Sequence, residues 1–386
     1  MGISLVVNPG SSTKKYAFYK NEACVVTVSL AKVAGVIEME VQYDTKKEKT
    51  LVSEEEFVSS LKTTLHYLEE KDIVDISFLK AIGVRTVLPG KKFQSHQIVD
   101  QALLKYISSH SYLAPLHVPP LLEELRAVQS IFPEVTTVAV SDSAFHSSLP
   151  ESSYRYSIDE NFYTEHEVRR YGYHGLSVQS VVRMVGERNV FPGRNYIVCH
   201  IGSGVSLTAI QNGVSIDTTM GFTPGSGMVM ASRSGDIESG ALLEMMRIKN
   251  FSVSDMQQYI QTKGGLYALA GEADFRHIIE RYACGDEVAI RALKVFTHSF
   301  KKHFGGLVAV LGILDGVVIT GTAGERSSVL RELCFSQLKG FTIQVDKEKN
   351  EQLCGQAGFF HAEGTVPLYV CRTREMDEVA RIITSY

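Results

Sequence analysis

No Cys-x-x-Cys pair occurs in the 386 residues; Cys24, Cys199, Cys284, Cys334, Cys354 and Cys371 stand singly, several in apolar runs such as YIVCH. That excludes a zinc cluster and argues for free thiols in a reducing compartment rather than a disulfide framework. No apolar run approaches the roughly 18 residues of a membrane helix, and the opening MGISLVVN is apolar for too short a stretch to be a signal peptide. Met-Gly at the start is outweighed as a myristoylation signal by the strand-like residues after it. There is no basic tail, and the charges nearly balance, with 39 Lys and Arg against 43 Asp and Glu. Nucleic acid and membrane partners are therefore not expected, and the chain reads as soluble and cytoplasmic. The short Lys46–Lys49 run reads as a solvated loop. G-x-x-x-x-G-K-[ST] is absent, as are the HRD and DFG motifs of protein kinases, so neither of those phosphotransferase classes applies. Tryptophan is missing altogether, and there are only 10 prolines.

Glycine, by contrast, numbers 31, and its positions are informative. Ile3 to Val7 is a β-branched run that ends in NPGSST; strands follow over Tyr16 to Tyr19 and Ala23 to Leu30. The same order returns from Tyr196 to His200, through Gly202-Ser203-Gly204, to a strand over Val205 to Ile210, an Asn212-Gly213 turn and a strand over Val214 to Thr218. The two copies lie about 190 residues apart, half the chain, which suggests a duplicated domain with both Gly/Ser turns at a shared cleft. Helical spacing covers Glu54 to Glu70, Val118 to Ile131, Val178 to Glu187, Gly240 to Ile248, Asp286 to Val310 and Met376 to Ile383. A short strand over Val317 to Thr320 runs into a glycine turn, and Val366 to Cys371 is a late strand. The alternation indicates an α/β fold of two domains.

Glycine turns follow strands at Asn8–Lys15, Gly202–Ser206, Gly221–Gly227 and Gly321–Glu325. Such turns let backbone N–H groups approach an anion, so several in one chain point to a polyphosphate ligand; ordinary hairpin turns are the plainer alternative. Phosphoryl transfer needs cations, a metal ion and alignment more than covalent chemistry. Polar residues in apolar or glycine-rich surroundings could supply these: Arg85, His117, Asp142, His174, His200, Arg233 and Glu375.

The segments that hold these residues carry a resemblance. VVNPGSSTKK, LAPLHVPP, VAVSDSAFHSSLP, RRYGYHGLS and DTTMGFTPGSGMVMASRSGDIE are similar, in the same order and over essentially the whole chain, to blocks of the acetate kinase (acetokinase) family of the sugar kinase and actin superfamily. The resemblance implies two duplicated ribonuclease-H-like (actin-like ATPase) domains flanking a central cleft. Domain I would span 1–143, with helix 376–386 returning to it. Domain II would span 144–375 and carry nucleotide binding and dimerisation, with hinges near Ser143 and Glu375.

By the same resemblance, Asp142, His174, Arg233 and Arg85 are catalytic, His174 and Arg233 stabilising the transition state. Asn8 (through water) and Glu375 hold Mg2+, with Mn2+ an alternative. Arg85, Val87, Leu116, Tyr173 and Pro224 surround the carboxylate substrate. ATP or ADP is held by Ser11, Thr13, Lys15, His200, Gly202, Ser203, Gly204, Asp274, Phe275, Arg276, Gly321, Thr322, Ala323, Gly324 and Glu325. His117 matches a further cleft histidine. The implied activity is acetate kinase, acetate and ATP giving acetyl phosphate and ADP, in a homodimer. Propionate or butyrate kinase and a pyrophosphate-dependent acetate kinase are the alternatives. A non-catalytic module is disfavoured by the joint retention of Arg85, Asp142, His174, Arg233 and Glu375.

Departures from the family pattern fall at Pro9, at Ser203 where an amide is usual, at Leu88-Pro89-Gly90, at Val118 after His117, and at Thr322 and Arg326. Thr322 replaces a glycine, and with Arg326 it is expected to narrow the nucleoside pocket if pyrophosphate is the donor. Tyr173 stands where Phe is common, so its hydroxyl needs a partner.

Overall fold

A strand whose residues are apolar on both faces has to be covered on both sides, and β1 (Ile3–Asn8) is such a strand, with Leu5, Val6 and Val7 fully buried. The computed structural model describes residues 2–33 and 35–386. β2 (Thr13–Lys20), β3 (Ala23–Val33), β4 (Val36–Tyr43) and β5 (Lys46–Leu51) follow as an antiparallel meander. β6 (Leu79–Thr86), β7 (Gln97–Ile98) and β8 (Thr136–Ser141) complete an eight-stranded sheet of order β5-β4-β3-β2-β1-β6-β8-β7. β6 is parallel to both β1 and β8.

The second sheet contains β9 (Asn195–Ile201), β10 (Val205–Gln211), β11 (Val214–Thr218), β12 (Gly316–Thr320), β13 (Gly358–Phe359) and β14 (Leu368–Val370), in the order β11-β10-β9-β12-β14-β13. The run β3-β2-β1-β6-β8 and the run β11-β10-β9-β12-β14 have the same layout. In each, three antiparallel strands are followed by two more parallel to the first. The duplication read from the two Gly/Ser turns is thus present in the strand order, and the fold is a pair of ribonuclease-H-like α/β units.

The chain divides into two compact units, Met1–Ala144 with Arg374–Tyr386, and Phe145–Thr373. In unit 1 the helix Glu375–Ile383 packs on β1 and β6. A Cβ at Gly83 of β6 would lie 2.6 Å from Val379 and 2.9 Å from Ile383, so this seat needs glycine. In unit 2 the 25-residue helix Glu287–Leu311 buries Leu293, Phe296, Phe300, Phe304 and Leu307 as one stripe, at the three-and-four spacing of a helix face, and packs against β9 and β10.

Three local expectations are corrected. Lys46–Lys49 is solvated but is an edge strand, not a loop. Lys47 pairs with Glu40 at 3.0 Å and Lys49 with Glu38 at 2.6 Å across to β4, while Glu48 accepts from the hydroxyls of Tyr43 and Tyr67, both at 2.6 Å. Alternating charge suits an edge that must not recruit another strand. The single helix expected over Glu54 to Glu70 is two, Glu54–Val58 and Ser60–Glu70, because Ser59 leaves helical geometry (φ −91°, ψ 32°). Ser60 there turns its hydroxyl onto buried Glu124, and Lys14 donates to the Val58 carbonyl at the end of the first helix. Finally, the glycine turn after β12 is wound into a short helix, Thr322–Arg326, with Gly321 before it at φ +84°.

Candidate functional site

In unit 1, candidate residues gather at the ends of the parallel strands. Arg85 is the penultimate residue of β6, Asn8 the last of β1, and Asp142 follows β8; the helix Glu375–Ile383 brings Glu375 to the same place. Parallel strands that end together gather such residues, as α/β sheets commonly do at their ligand sites. Asp142 is 1 % exposed. Arg85 donates to its two carboxylate oxygens, from Nη2 at 3.0 Å and Nε at 3.3 Å. Nη1 lies 3.5 Å from Asn8 Oδ1 and 3.7 Å from Glu375 Oε2. Burial lowers the Arg85 pKa, but the charges of Asp142 and Glu375 outweigh it and the net shift is upward, so the cation is secure. A guanidinium fixed along one edge by a buried carboxylate is aimed rather than floppy.

Of the other candidates in unit 1, Ser11 is exposed and Thr13 opens β2 half-buried. Lys15 sits opposite Asn8 in the β1–β2 ladder and is exposed, while its neighbour Lys14 points into the core. Gly10 is tight: a Cβ there would lie 2.6 Å from the Thr13 carbonyl oxygen. Val87 and Leu116 are half-buried, and His117 stands at the start of the helix Val118–Ile131.

In unit 2, His174 holds a left-handed conformation (φ 59°, ψ 23°) at the start of the helix Gly175–Arg188. Its Nδ1 lies 3.0 Å from Ser206 Oγ, and its ring lies 4.1 Å from that of His200, whose Nδ1 meets Ser177 Oγ at 2.7 Å. The Gly202-Ser203-Gly204 turn joins β9 to β10 beside them. A Cβ on Gly204 would come within 3.0 Å of the His174 ring and 3.4 Å of Arg233 Nη1; one on Gly202 would reach 3.4 Å from His200 Nε2. Ser203 is exposed, and its carbonyl accepts from Ala231 N–H. Arg233 Nη1 donates to the Pro224 carbonyl at 3.0 Å, and Asp236 Oδ1 accepts from Gly227 N–H at 2.6 Å, which braces the loop between them. Tyr173 is 1 % exposed; its hydroxyl finds the partner it needed in the Phe222 carbonyl at 2.7 Å.

The remaining nucleotide candidates lie elsewhere in unit 2. Asp274 caps the helix Phe275–Ala283 and is paired with Arg276. Phe275 is buried edge-on against Phe296, at 5.2 Å between ring centres. Thr322 and Arg326 are exposed, Ala323 is half-buried and Gly324 is buried. Gly321 approaches the Ile201 backbone so closely that a Cβ would lie 2.8 Å from it. Glu325 turns inward, accepting from Gly321 N–H at 3.0 Å and Thr373 N–H at 3.3 Å.

Residues 3–381 match the model of the acetokinase family. The chain belongs to that family. It is 35 % identical over 356 residues to the acetate kinase of Desulforamulus reducens, covering 90 % of each chain. To the acetate kinase of Thermoanaerobacterium thermosaccharolyticum it is 33 % identical over 387 residues, covering 98 % of this chain and 97 % of the other. Among solved structures, the propionate kinase of Francisella tularensis superposes with a TM-score of 0.92 at 29 % identity, covering all of both chains. The acetate kinase of Porphyromonas gingivalis gives 0.87 at 27 %, covering all of this chain and 99 % of that one. The acetokinase fold is therefore that of the superfamily of actin-like ATPases.

Three supports in this acetokinase chain were missed by sequence reasoning. His146 is 1 % exposed; its Nε2 donates to the Tyr173 carbonyl at 3.0 Å and its Nδ1 lies 2.9 Å from Ser215 Oγ. It thereby fixes the peptide that leads into left-handed His174. Gly172 leaves room for the His146 ring, 2.8 Å from where its Cβ would be. Lys14 and Glu124 form a buried pair at 2.9 Å that also takes in Tyr16 and Ser60. Arg331 is fully buried behind the Thr322–Arg326 helix. Only His146 had a signal, as part of VAVSDSAFHSSLP; the partners of the others are remote in sequence.

Proposed function

We propose that the protein is an acetate kinase that reversibly transfers the γ-phosphoryl group of ATP to acetate. An acetate oxygen forms the new P–O bond in line as the bond to the bridging oxygen of ADP breaks, giving acetyl phosphate. The carboxylate is already ionised at neutral pH, so no strong general base is needed. The observation that carries the reading is the convergence of His174 and Arg233 on the Gly204 backbone, where no side chain intervenes. A ring N–H and a guanidinium beside a glycine turn suit an anion whose charge is spread over several oxygens. In this reading Arg233 and His174 stabilise the transferring group. Arg85, oriented by Asp142, neutralises charge on the carboxylate or phosphoryl oxygens.

Asn8 and Glu375 offer oxygen donors of the kind Mg2+ takes, and both face Arg85. Among the described residues no group of three or more His, Cys, Asp or Glu side chains could hold a metal ion. Mg2+ commonly keeps several waters and takes only one or two protein oxygens, so Asn8 and Glu375 would suffice as its protein donors. Bound there, Mg2+ (or Mn2+) would neutralise nucleotide phosphate charge. The 202–204 turn, the Asp274–Arg276 segment and the 321–325 segment would receive ATP. Thr322 occupies the first turn of a helix and is exposed, and the donor comparison tests whether it admits a nucleoside.

The test is turnover of acetyl phosphate with ADP and, separately, with inorganic phosphate. Turnover with ADP alone is expected; a reaction with phosphate alone would overturn the donor assignment. A second reading, propionate as acceptor, is favoured by the likeness to the Francisella propionate kinase, and rates across acetate, propionate and butyrate decide it.

We also infer a homodimer through unit 2. The helix Ser239–Lys249 buries none of its residues, yet it carries Leu242, Leu243, Met245, Met246 and Ile248, with exposed Val253 just beyond. A second copy would cover this apolar face. Among the described residues no helix is long and apolar enough to cross a membrane.

A further inference from the structure

Arg331 lies on the helix Ser328–Phe335 and is 0 % exposed. A guanidinium has five N–H donors, and each one left unpaired in the interior is costly. Here all five are met. Nε donates to Asn350 Oδ1 at 2.7 Å; Nη1 donates to the carbonyls of Gly324 at 2.7 Å and Glu325 at 3.0 Å; Nη2 donates to the carbonyls of Asn350 at 2.8 Å and Leu353 at 3.1 Å. None of these acceptors is a carboxylate. Burial pushes the Arg331 pKa down to about 10, which leaves it charged at neutral pH.

An unpaired interior charge is an expensive way to hold a fold together, so the question is what this one holds. Two of its five bonds end on consecutive carbonyls of the Thr322–Arg326 helix. The neighbouring strand of chain grips the same place: Gly355 N–H donates to the Glu325 carbonyl at 3.1 Å, and Cys354 Sγ to the Arg326 carbonyl at 3.4 Å. From the other side the Glu325 carboxylate accepts from Gly321 N–H, Thr320 Oγ1 and Thr373 N–H. The short helix is thus pinned at both ends, through carbonyls by a cation and through N–H groups by an anion. Asn350 ties the clamp to its own helix, donating from Nδ2 to the Ser328 carbonyl at 2.9 Å.

We propose that Arg331, with Asn350, is a positioning residue that sets the Gly321–Arg326 segment for the nucleoside end of the phosphoryl donor. This rests on the acetate kinase reading, in which that segment receives ATP. Arg331 touches no reacting atom, so its loss should be read in donor binding and not in the chemical step. A charge without the planar fork, as in lysine, can replace only part of the five bonds.

The experiment compares Arg331→Met, Arg331→Lys and Asn350→Ala with the wild type. It measures KM for ATP, KM for acetate, kcat and the thermal midpoint of each. In Arg331→Met, KM for ATP should rise about tenfold or more while kcat at saturating ATP and KM for acetate stay within about twofold. Arg331→Lys should recover part of that loss. If Arg331→Met does not fold, Arg331→Lys and Asn350→Ala carry the same comparison. Folded variants with an unchanged KM for ATP overturn the proposal, and so does a parallel loss of kcat and both KM values. A wild type that does not turn over ATP defeats the acetate kinase reading instead, so the two failures are distinct.

Discussion

Gly204 has no side chain to lose, and its backbone is closely hemmed in by His174 and Arg233. Gly204→Ala would drive a methyl group to 3.0 Å from the His174 ring, and a displacement of this kind at a reacting centre is costly in rate. We expect kcat to fall about tenfold or more with little change in melting temperature; unchanged kcat would show that the ring can yield. Arg233→Ala should cost at least about 100-fold in phosphoryl transfer, the scale of a lost transition-state donor. Near wild-type turnover in that variant would remove Arg233 from the site. Glu124→Ala poses a different question, since it would leave Lys14 buried and unpaired. A loss of about 3–5 kcal/mol in denaturant unfolding is expected. Arg85, Asp142, His174 and Arg233 were legible as isolated polar residues in glycine-rich or apolar context. Lys14 was not, because nothing local distinguishes it from Lys15; its partner is 110 residues away, and only the alternation of β2 turns one lysine in and the other out.

Among the helices, Glu287–Leu311 carries a further link to the loop that bears Arg233. His303 Nε2 lies 3.1 Å from Asp236 Oδ2, and Asp236 in turn holds Gly227 N–H. Burial by itself lowers the His303 pKa, but its hydrogen bonds to Asp236 and to the Ser299 carbonyl outweigh burial and raise it above 6.5. A value raised in the folded state contributes stability below the unfolded value, and that contribution is lost as pH rises through the folded one. His303→Gln should therefore lower the melting temperature more at about pH 5.5 than at about pH 8.5. An equal loss at both would mean that His303 acts by packing alone. At this scale the sequence patterns held best where burial is extensive, as in β9 and β10, covered on both faces, and in the long helix, covered along one stripe. They held least at Lys46–Leu51, where charge alternation on an edge strand looks the same as a solvated loop until the neighbouring strand is known. The break at Ser59 was hidden for a similar reason, since the Ser60 hydroxyl next to it meets Glu124, a residue brought near only by folding.

For the molecule as a whole, the duplication was visible in advance because each copy is a local pattern of strand and turn. The strand orders of the two sheets carry it further, to β6 and β8 against β12 and β14, whose pairing spans long intervening stretches that no local pattern reports. The apolar helix Ser239–Lys249 gives a whole-molecule prediction. Leu243→Glu should shift the protein from dimer to monomer in light scattering, while an unchanged mass would place the subunit contact elsewhere. Chain order also sets a sequence of events during synthesis. Unit 2 is one continuous stretch and can fold as it leaves the ribosome. Unit 1 leaves the ribosome first but must wait for residues 375–383, made after all of unit 2, before anything covers Gly83 and the neighbouring faces of β1 and β6. Until then its sheet has an open apolar seat, so the earlier-made unit is the one completed last.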